Sequence, residues 1–261
     1  MIESLQSPHV ARVKALLSSK KERLEQKLFI AEGIQAVREA LKEANGIDSL
    51  YLTKSGAERL AKANVDYSAV KCFEIDERVA DAMSDAITTQ GIIAICKLIS
   101  PEISELTNLS NEHIIYLSEI QDPGNAGTIL RTADAMGLPA VITSPGSVDF
   151  YSPKVVRSTA GSLWHTKIFT GLELEGVTKA LPNHRIFILD GAASKKLTEV
   201  DFSKPAIWIF GNEARGFNGG ISSDSAITGA EKIAIKMSGN AESLNLAAAA
   251  AIVMHEISRE K

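Results

Sequence analysis

Six short apolar runs punctuate the second half of this 261-residue chain: His113–Leu117, Ala140–Thr143, Thr166–Phe169, Arg185–Leu189, Ala206–Phe210 and Lys232–Ile235. Between them lie stretches with helical spacing at about 124–136, 153–162, 172–180 and 242–257. Runs that are apolar throughout, rather than alternating, fit strands buried on both faces. Such strands, separated by helices, predict an α/β fold: a mostly parallel sheet with helices on both faces. Ser152-Pro153 marks one helix start, a cap followed by proline at the first helical position.

The first hundred residues form a second alternating pattern. Apolar positions Val10, Val13, Leu16, Leu17 and Leu24 suggest helix from about 8 to 26. Strands are expected at Leu28–Ala31, Ser49–Thr53, Lys71–Ile75 and Ile92–Leu98. Helices are expected at Glu32–Ala44, ending at Asn45-Gly46, at Ser55–Ala63, and after a capping Asp76 through Met83. Ser100-Pro101-Glu102 opens a polar stretch to Glu112, which reads as a linker. The expected organisation is a small α/β domain over 1–104 and a larger one over 112–261.

Composition narrows the classes. The longest apolar runs fall well short of a membrane span, and the start Met1-Ile2-Glu3-Ser4-Leu5 lacks the apolar core of a secretory signal. Cys72 and Cys96 show no paired-motif spacing, so a disulfide framework or zinc site is not expected and a reducing cytoplasm fits. The five histidines have no metal-ligand spacing, and no metal is expected. No G-x-G-x-x-G follows a strand and no P-loop lysine motif is present, which removes support for a nucleotide-dependent oxidoreductase. A net charge of −4 argues against strong non-specific nucleic-acid binding. Residues 1–27 nevertheless carry six bases (Arg12, Lys14, Lys20, Lys21, Arg23, Lys27) against three acids (Glu3, Glu22, Glu25). That excess is open to two roles, a nucleic-acid contact or a solvated helix face.

Three of the apolar runs end in glycine and small polar residues, at the rim where open α/β sheets bind ligands. The first such segment is Gln121-Asp122-Pro123-Gly124-Asn125-Ala126-Gly127, with Arg131 six residues beyond Asn125, between one and two helical turns on and expected near the same side. Asn125 falls at or near a helix start, where it could cap and where free backbone N–H groups point outward. The second is Gly211-Asn212-Glu213-Ala214-Arg215-Gly216. Gly211 permits close approach of backbone to a ligand, Glu213 is an acceptor, and Gly216 permits a left-handed turn. The third runs from Ile235 through Met237 and Gly239 to Ser243-Leu244-Asn245. Ile235, Met237 and Leu244 could line an apolar slot for an adenine, and Ser243 and Asn245 could cap the last helix.

Together these segments resemble the SpoU (TrmH-like) family of the SPOUT superfamily over roughly residues 112 to 258. The resemblance implies S-adenosyl-L-methionine as cofactor and methyl transfer to a ribose 2′-hydroxyl of RNA. It implies catalytic roles for Asn125, Arg131, Glu213, Ser243 and Asn245. It implies cofactor contacts from Gly211, Asn212, Gly216, Ile235, Met237, Ser243 and Leu244. The family pattern usually has proline where this chain has Lys236. The family also implies a C-terminal trefoil knot and a homodimer. Lys20-Lys21-Glu22-Arg23 and Phe29-Ile30-Ala31-Glu32-Gly33 resemble the RNA substrate-binding domain that often precedes this catalytic domain, which favours ribosomal RNA over tRNA. Lys154 to Gly161 also looks like family sequence, with Arg157 open to a phosphate contact or a plain surface role. The competing function is a non-catalytic RNA-binding or ribosome-assembly protein that retains the fold.

Overall fold

The computed structural model describes residues 1–212, 227 and 229–259. The chain divides into two compact units, Met1–Ile99 with Asp149–Trp164, and Ser100–Val148 with His165–Lys261.

The first unit opens with α1 (Pro8–Ser18) and α2 (Lys20–Gln26), two helices across the stretch whose apolar positions keep helical spacing only in part. Ser19 explains the break. Its backbone is extended, its N–H closes α1 on the Ala15 carbonyl, and its hydroxyl accepts from the Glu22 N–H to start α2. Then follow β1 (Leu28–Glu32), α3 (Ile34–Lys42), β2 (Ile47–Leu52), α4 (Lys54–Lys62), β3 (Cys72–Glu74), α5 (Glu77–Ala82) and β4 (Ile92–Lys97). Asp76 caps α5 as expected, accepting from the Val79 N–H. The sheet order is β1-β4-β2-β3, with β4 antiparallel to both neighbours and β2 parallel to β3. One core cluster gathers Val13 and Leu16 of α1 with Ile30, Tyr51, Val79, Ile93 and Ile95.

Residues 149–164 belong to this unit, although they lie far along the chain. They hold α7 (Pro153–Ser158), shorter than expected, because Ala160 and Gly161 turn to positive φ. Arg23 is buried, and its guanidinium donates to Asp149 Oδ2 at 2.7 and 2.9 Å. The Tyr151 hydroxyl donates to the Ile99 carbonyl. Arg157 pairs with Asp85 at 2.9 Å and lies 3.9 Å from Glu32. Arg12 pairs with Asp48 at 2.9 Å. Arg12, Arg23 and Arg157 therefore have carboxylate partners.

Gly91 shows how tightly β4 begins. Its φ is +70°, and a Cβ there would lie 2.1 Å from Thr53 Oγ1, which itself caps α4 by accepting from Gly56 N–H at 3.0 Å. Gly91→Ala therefore combines left-handed strain with a clash against the cap. The expected cost is about 2–4 kcal/mol of unfolding free energy, read as a lower midpoint in urea with an unchanged slope.

The second unit begins in the stretch expected to be a linker. That stretch forms a 3₁₀ helix (Ile103–Leu109) with Leu106 and Leu109 buried. Then come β5 (Ile114–Leu117), α6 (Pro123–Ala135), β6 (Ala140–Thr143), β7 (Lys167–Phe169), α8 (Leu174–Ala180), β8 (Arg185–Leu189), β9 (Ala206–Phe210), β10 (Glu231–Ile233) and α9 (Leu246–Arg259). All six strands are parallel, in the order β10-β8-β9-β5-β6-β7. One face buries Ile114, Tyr116, Ile142, Ile188, Ile207 and Ile209 with Leu174 and Val177 of α8. Alternate strand residues Ile115, Leu117, Trp208 and Phe210 are buried as well. Helix α6 packs against β6 and α9. No helix among the described residues is long and apolar enough to cross a membrane.

Trp208 is fully buried and stacks on Phe202 with centroids 5.4 Å apart. Its indole N–H donates to His113 Nδ1 at 3.2 Å, so His113 carries its proton on Nε2 and donates it to the Phe202 carbonyl at 2.9 Å. One of the five histidines thus serves the core.

Candidate active site

Three parallel strands deliver their carboxyl ends to one place. Leu189 of β8 runs into Asp190-Gly191, Phe210 of β9 into Gly211-Asn212, and the chain leaves β10 at Ile233 for Ile235 and Met237. These residues, with Asn125 of α6 and the segment from Glu242 to Leu246, line one cavity of about 410 Å³. That volume is within the usual range for a small-molecule site. The location follows from topology, since ligands bind beyond the carboxyl ends of strands where the strand order reverses. Here chain order runs outward from β5 through β6 to β7, then returns through β8 on the other side of β9.

The loop that launches α6 is held from several directions. Glu119 has φ +51°, and its N–H donates to Ser144 Oγ at 2.7 Å. Its carbonyl accepts from Asn212 Nδ2 at 2.9 Å and Gln121 Nε2 at 3.1 Å. Asp122, not Asn125, caps the helix: its Oδ1 accepts from the Asn125 N–H at 2.7 Å, and Pro123 takes the first helical position. The Asn125 side chain is turned to another task. Its Oδ1 accepts from Asn245 Nδ2 at 3.0 Å, across 120 residues of sequence.

Asn245 makes the matching half of this link. Its Oδ1 accepts from the N–H of Ala247 at 2.9 Å and of Ala248 at 3.3 Å, which caps α9. The last helix thus begins at Leu246, not at 242, and Ser243 and Leu244 belong to the loop before it. Likewise β10 ends at Ile233, so Ile235 and Met237 lie beyond the strand rather than in it.

Of the residues singled out from sequence, Asn125, Gly211, Asn212, Ile235, Met237, Ser243, Leu244 and Asn245 line the cavity. Arg131 does not. It is exposed on α6, about 9 Å along the axis from Asn125 and about 120° around it, so the two do not share a side. Glu213 and Gly216 lie outside the described residues. The structure adds Leu189, Asp190, Gly191, Phe210, Ile233, Glu242, Leu246 and Ala249 to the lining. Asp190-Gly191 carries a readable signal, an Asp-Gly turn directly after the apolar run 185–189. Among the described residues no His, Cys, Asp and Glu group could hold a metal ion.

The walls are aliphatic at Ile233, Ile235, Met237 and Leu244, with side-chain amides at Asn125 and Asn245 and carboxylates at Asp190 and Glu242. The Asp190 carboxyl is held below the usual carboxylate range by the Ala192 N–H that it accepts, with Lys232 beside it. An apolar slot with backbone polar groups and a few fixed side chains suits a nucleoside-bearing ligand.

Comparison with known proteins shows which family the chain resembles. The SpoU rRNA Methylase family matches residues 112–255, and the MRM3-like substrate binding domain matches residues 8–94. The 23S rRNA (guanosine(2553)-2′-O)-methyltransferase RlmP of Bacillus subtilis (strain 168) is 30% identical over 98% of each chain. An AdoMet-bound rRNA methyltransferase from Sinorhizobium meliloti superposes with TM-score 0.83 and 28% identity, covering 99% of this chain and 97% of that one. The SpoU methyltransferase AviRb from Streptomyces viridochromogenes, in complex with AdoMet, shares the fold at TM-score 0.84 and 21% identity over 98% of both chains.

Proposed function

The chain belongs to the SpoU rRNA Methylase family, and from that premise we propose that it transfers a methyl group from S-adenosyl-L-methionine to a ribose 2′-hydroxyl of ribosomal RNA. The observation that carries this is the meeting of three loops, distant in sequence, around one cavity closed by the Asn125–Asn245 hydrogen bond. The residues present fit an adenosyl group: Ile235, Met237 and Leu244 offer the apolar slot, and Gly211 leaves backbone accessible.

Bound there, S-adenosylmethionine supplies an activated methyl group on a sulfonium. The chain supplies orientation, which in well-aligned cases is worth about 7–11 kcal/mol of barrier. Asn125 and Asn245 fix each other and join the starts of α6 and α9. Asn125 and Ser243 present an amide and a hydroxyl to the reacting ribose. Arg131, outside the cavity wall, orients the RNA phosphate and hydroxyl. It is not itself the proton acceptor, because a guanidinium keeps its proton. Glu213 supports the second loop, and Gly216 and Asn212 contribute backbone to the cofactor. Leu244→Asp places a carboxylate in the apolar slot and is expected to weaken S-adenosylhomocysteine binding at least about tenfold, measured by calorimetry.

Residues 1–104 act in this proposal as the RNA substrate-binding domain and 112–261 as the catalytic domain. The chain works in the cytoplasm as a homodimer, and its C-terminal segment threads a trefoil knot. Exposed Ile252 on α9 supports the dimer. Mass-spectrometric mapping of ribose methylation in ribosomal RNA, with and without the gene, tests the function. One lost 2′-O-methyl site is expected. An unchanged map, together with no S-adenosylhomocysteine binding at millimolar ligand, would favour a non-catalytic RNA-binding protein.

A further inference from the structure

Among the described cavity residues, Asp190 is the one whose carboxylate is held at both oxygens. It directly follows β8, and its backbone N–H donates to the Ile233 carbonyl at 3.0 Å, tying it to the neighbouring strand β10. Its Oδ1 accepts from the Ala192 N–H at 2.9 Å, and its Oδ2 pairs with Lys232 Nζ at 3.0 Å. A carboxylate is acceptor-only, with about four lone-pair sites. These two bonds leave about two sites for a ligand and lock the rotamer that presents them.

The order of strands says which part of a ligand meets those sites. Along the sheet the cavity residues run from β10 (Ile233, with Ile235 and Met237 beyond it), through β8 (Asp190), to β9 (Gly211), and then to Asn125 after β5. Neighbouring strands stand about 4.8 Å apart. An adenine in the Ile235, Met237 and Leu244 slot therefore places its own ribose one strand away, at β8, and leaves the methyl end toward Asn125. The ribose carries two adjacent hydroxyl donors, which match a carboxylate with open acceptor sites. Resting on the cofactor assignment above, we infer that Asp190 binds the 2′- and 3′-hydroxyls of the cofactor ribose and that Ala192 and Lys232 pre-set it to do so.

The test is a two-by-two calorimetric titration. Wild type and Asp190→Asn are each titrated with S-adenosylhomocysteine and with its 2′,3′-dideoxy analogue. Asn is isosteric and its amide oxygen can still take the Ala192 N–H, and thermal unfolding of both proteins checks that the fold is kept. Wild type is expected to lose about tenfold in affinity when the hydroxyls are removed. Asp190→Asn is expected to bind S-adenosylhomocysteine about tenfold more weakly and to treat both ligands alike. A variant that keeps the wild-type preference for the hydroxyls, or that binds S-adenosylhomocysteine as tightly as wild type, overturns the assignment while leaving the cofactor site intact. Failure of wild type itself to bind S-adenosylhomocysteine overturns the cofactor assignment and this inference with it.

Discussion

Asn125→Ala is expected to lower single-turnover methylation about 10²–10³-fold, the range seen when one preorganised polar group is removed from a reacting centre. Asn125 lines the cavity and holds Asn245 at 3.0 Å. Truncating it removes a side chain that the proposed mechanism sets at the reacting ribose and also frees the start of α9 from that of α6. Misplacement by about 1 Å is enough for a loss of 10²-fold. The α6 cap survives, because Asp122 supplies it, so unfolding is expected to shift little. Asn245→Asp separates the two roles of the partner residue. A carboxylate still caps α9 through the Ala247 N–H but cannot donate to Asn125 Oδ1. Turnover is expected to fall while stability holds. Single-turnover rates measured beside urea unfolding decide the point, and an Asn125→Ala enzyme within threefold of wild type would contradict the role.

The second large effect is expected at a residue that does not line the cavity at all. Arg131→Ala should reduce methylation of RNA at least about 10²-fold and leave S-adenosylhomocysteine affinity unchanged. Arg131 is exposed on α6 and does not line the cavity, so its removal exposes no core and should stay within about 0.5 kcal/mol of wild-type stability. Unchanged affinity and unchanged stability make the loss interpretable as lost RNA positioning. Lysine should rescue only in part, since an ammonium cannot present the planar fork that holds a phosphate in two places. Methyl transfer rates and calorimetry on the same preparations check this, and near-normal methylation by Arg131→Ala would remove it from the mechanism.

Much of the second unit is legible in the sequence because parallel strands leave a strong trace. Ala140–Thr143, Arg185–Leu189 and Ala206–Phe210 form strands with the ends read from their apolar runs, since a strand covered on both faces stays apolar throughout. Helix starts are harder. Asp122-Pro123 holds the better cap signal for α6, yet Asn125 competes with it in sequence, and only the hydrogen bond to Asn245 shows where its side chain is used. The alanine-rich run after Asn245 offers no phase from which to place the start of α9. Segment 149–164 belongs with the first unit through Arg23–Asp149, a pair 126 residues apart that no local pattern announces. Arg131 shows the cost of counting spacing without helical phase. Six residues carry it to another side of α6. Asp190 stands at a strand end before a glycine, where the same rim logic applies, but no family motif draws attention to it.

Amide hydrogen exchange with and without S-adenosylhomocysteine tests most directly whether the three loops build one site. Binding should slow exchange together at 189–191, at 211–212 and across 235–245, with little change in β1 to β4. Exchange that is unchanged in these segments at saturating ligand, or slowed in only one of them, would contradict a shared cofactor cavity.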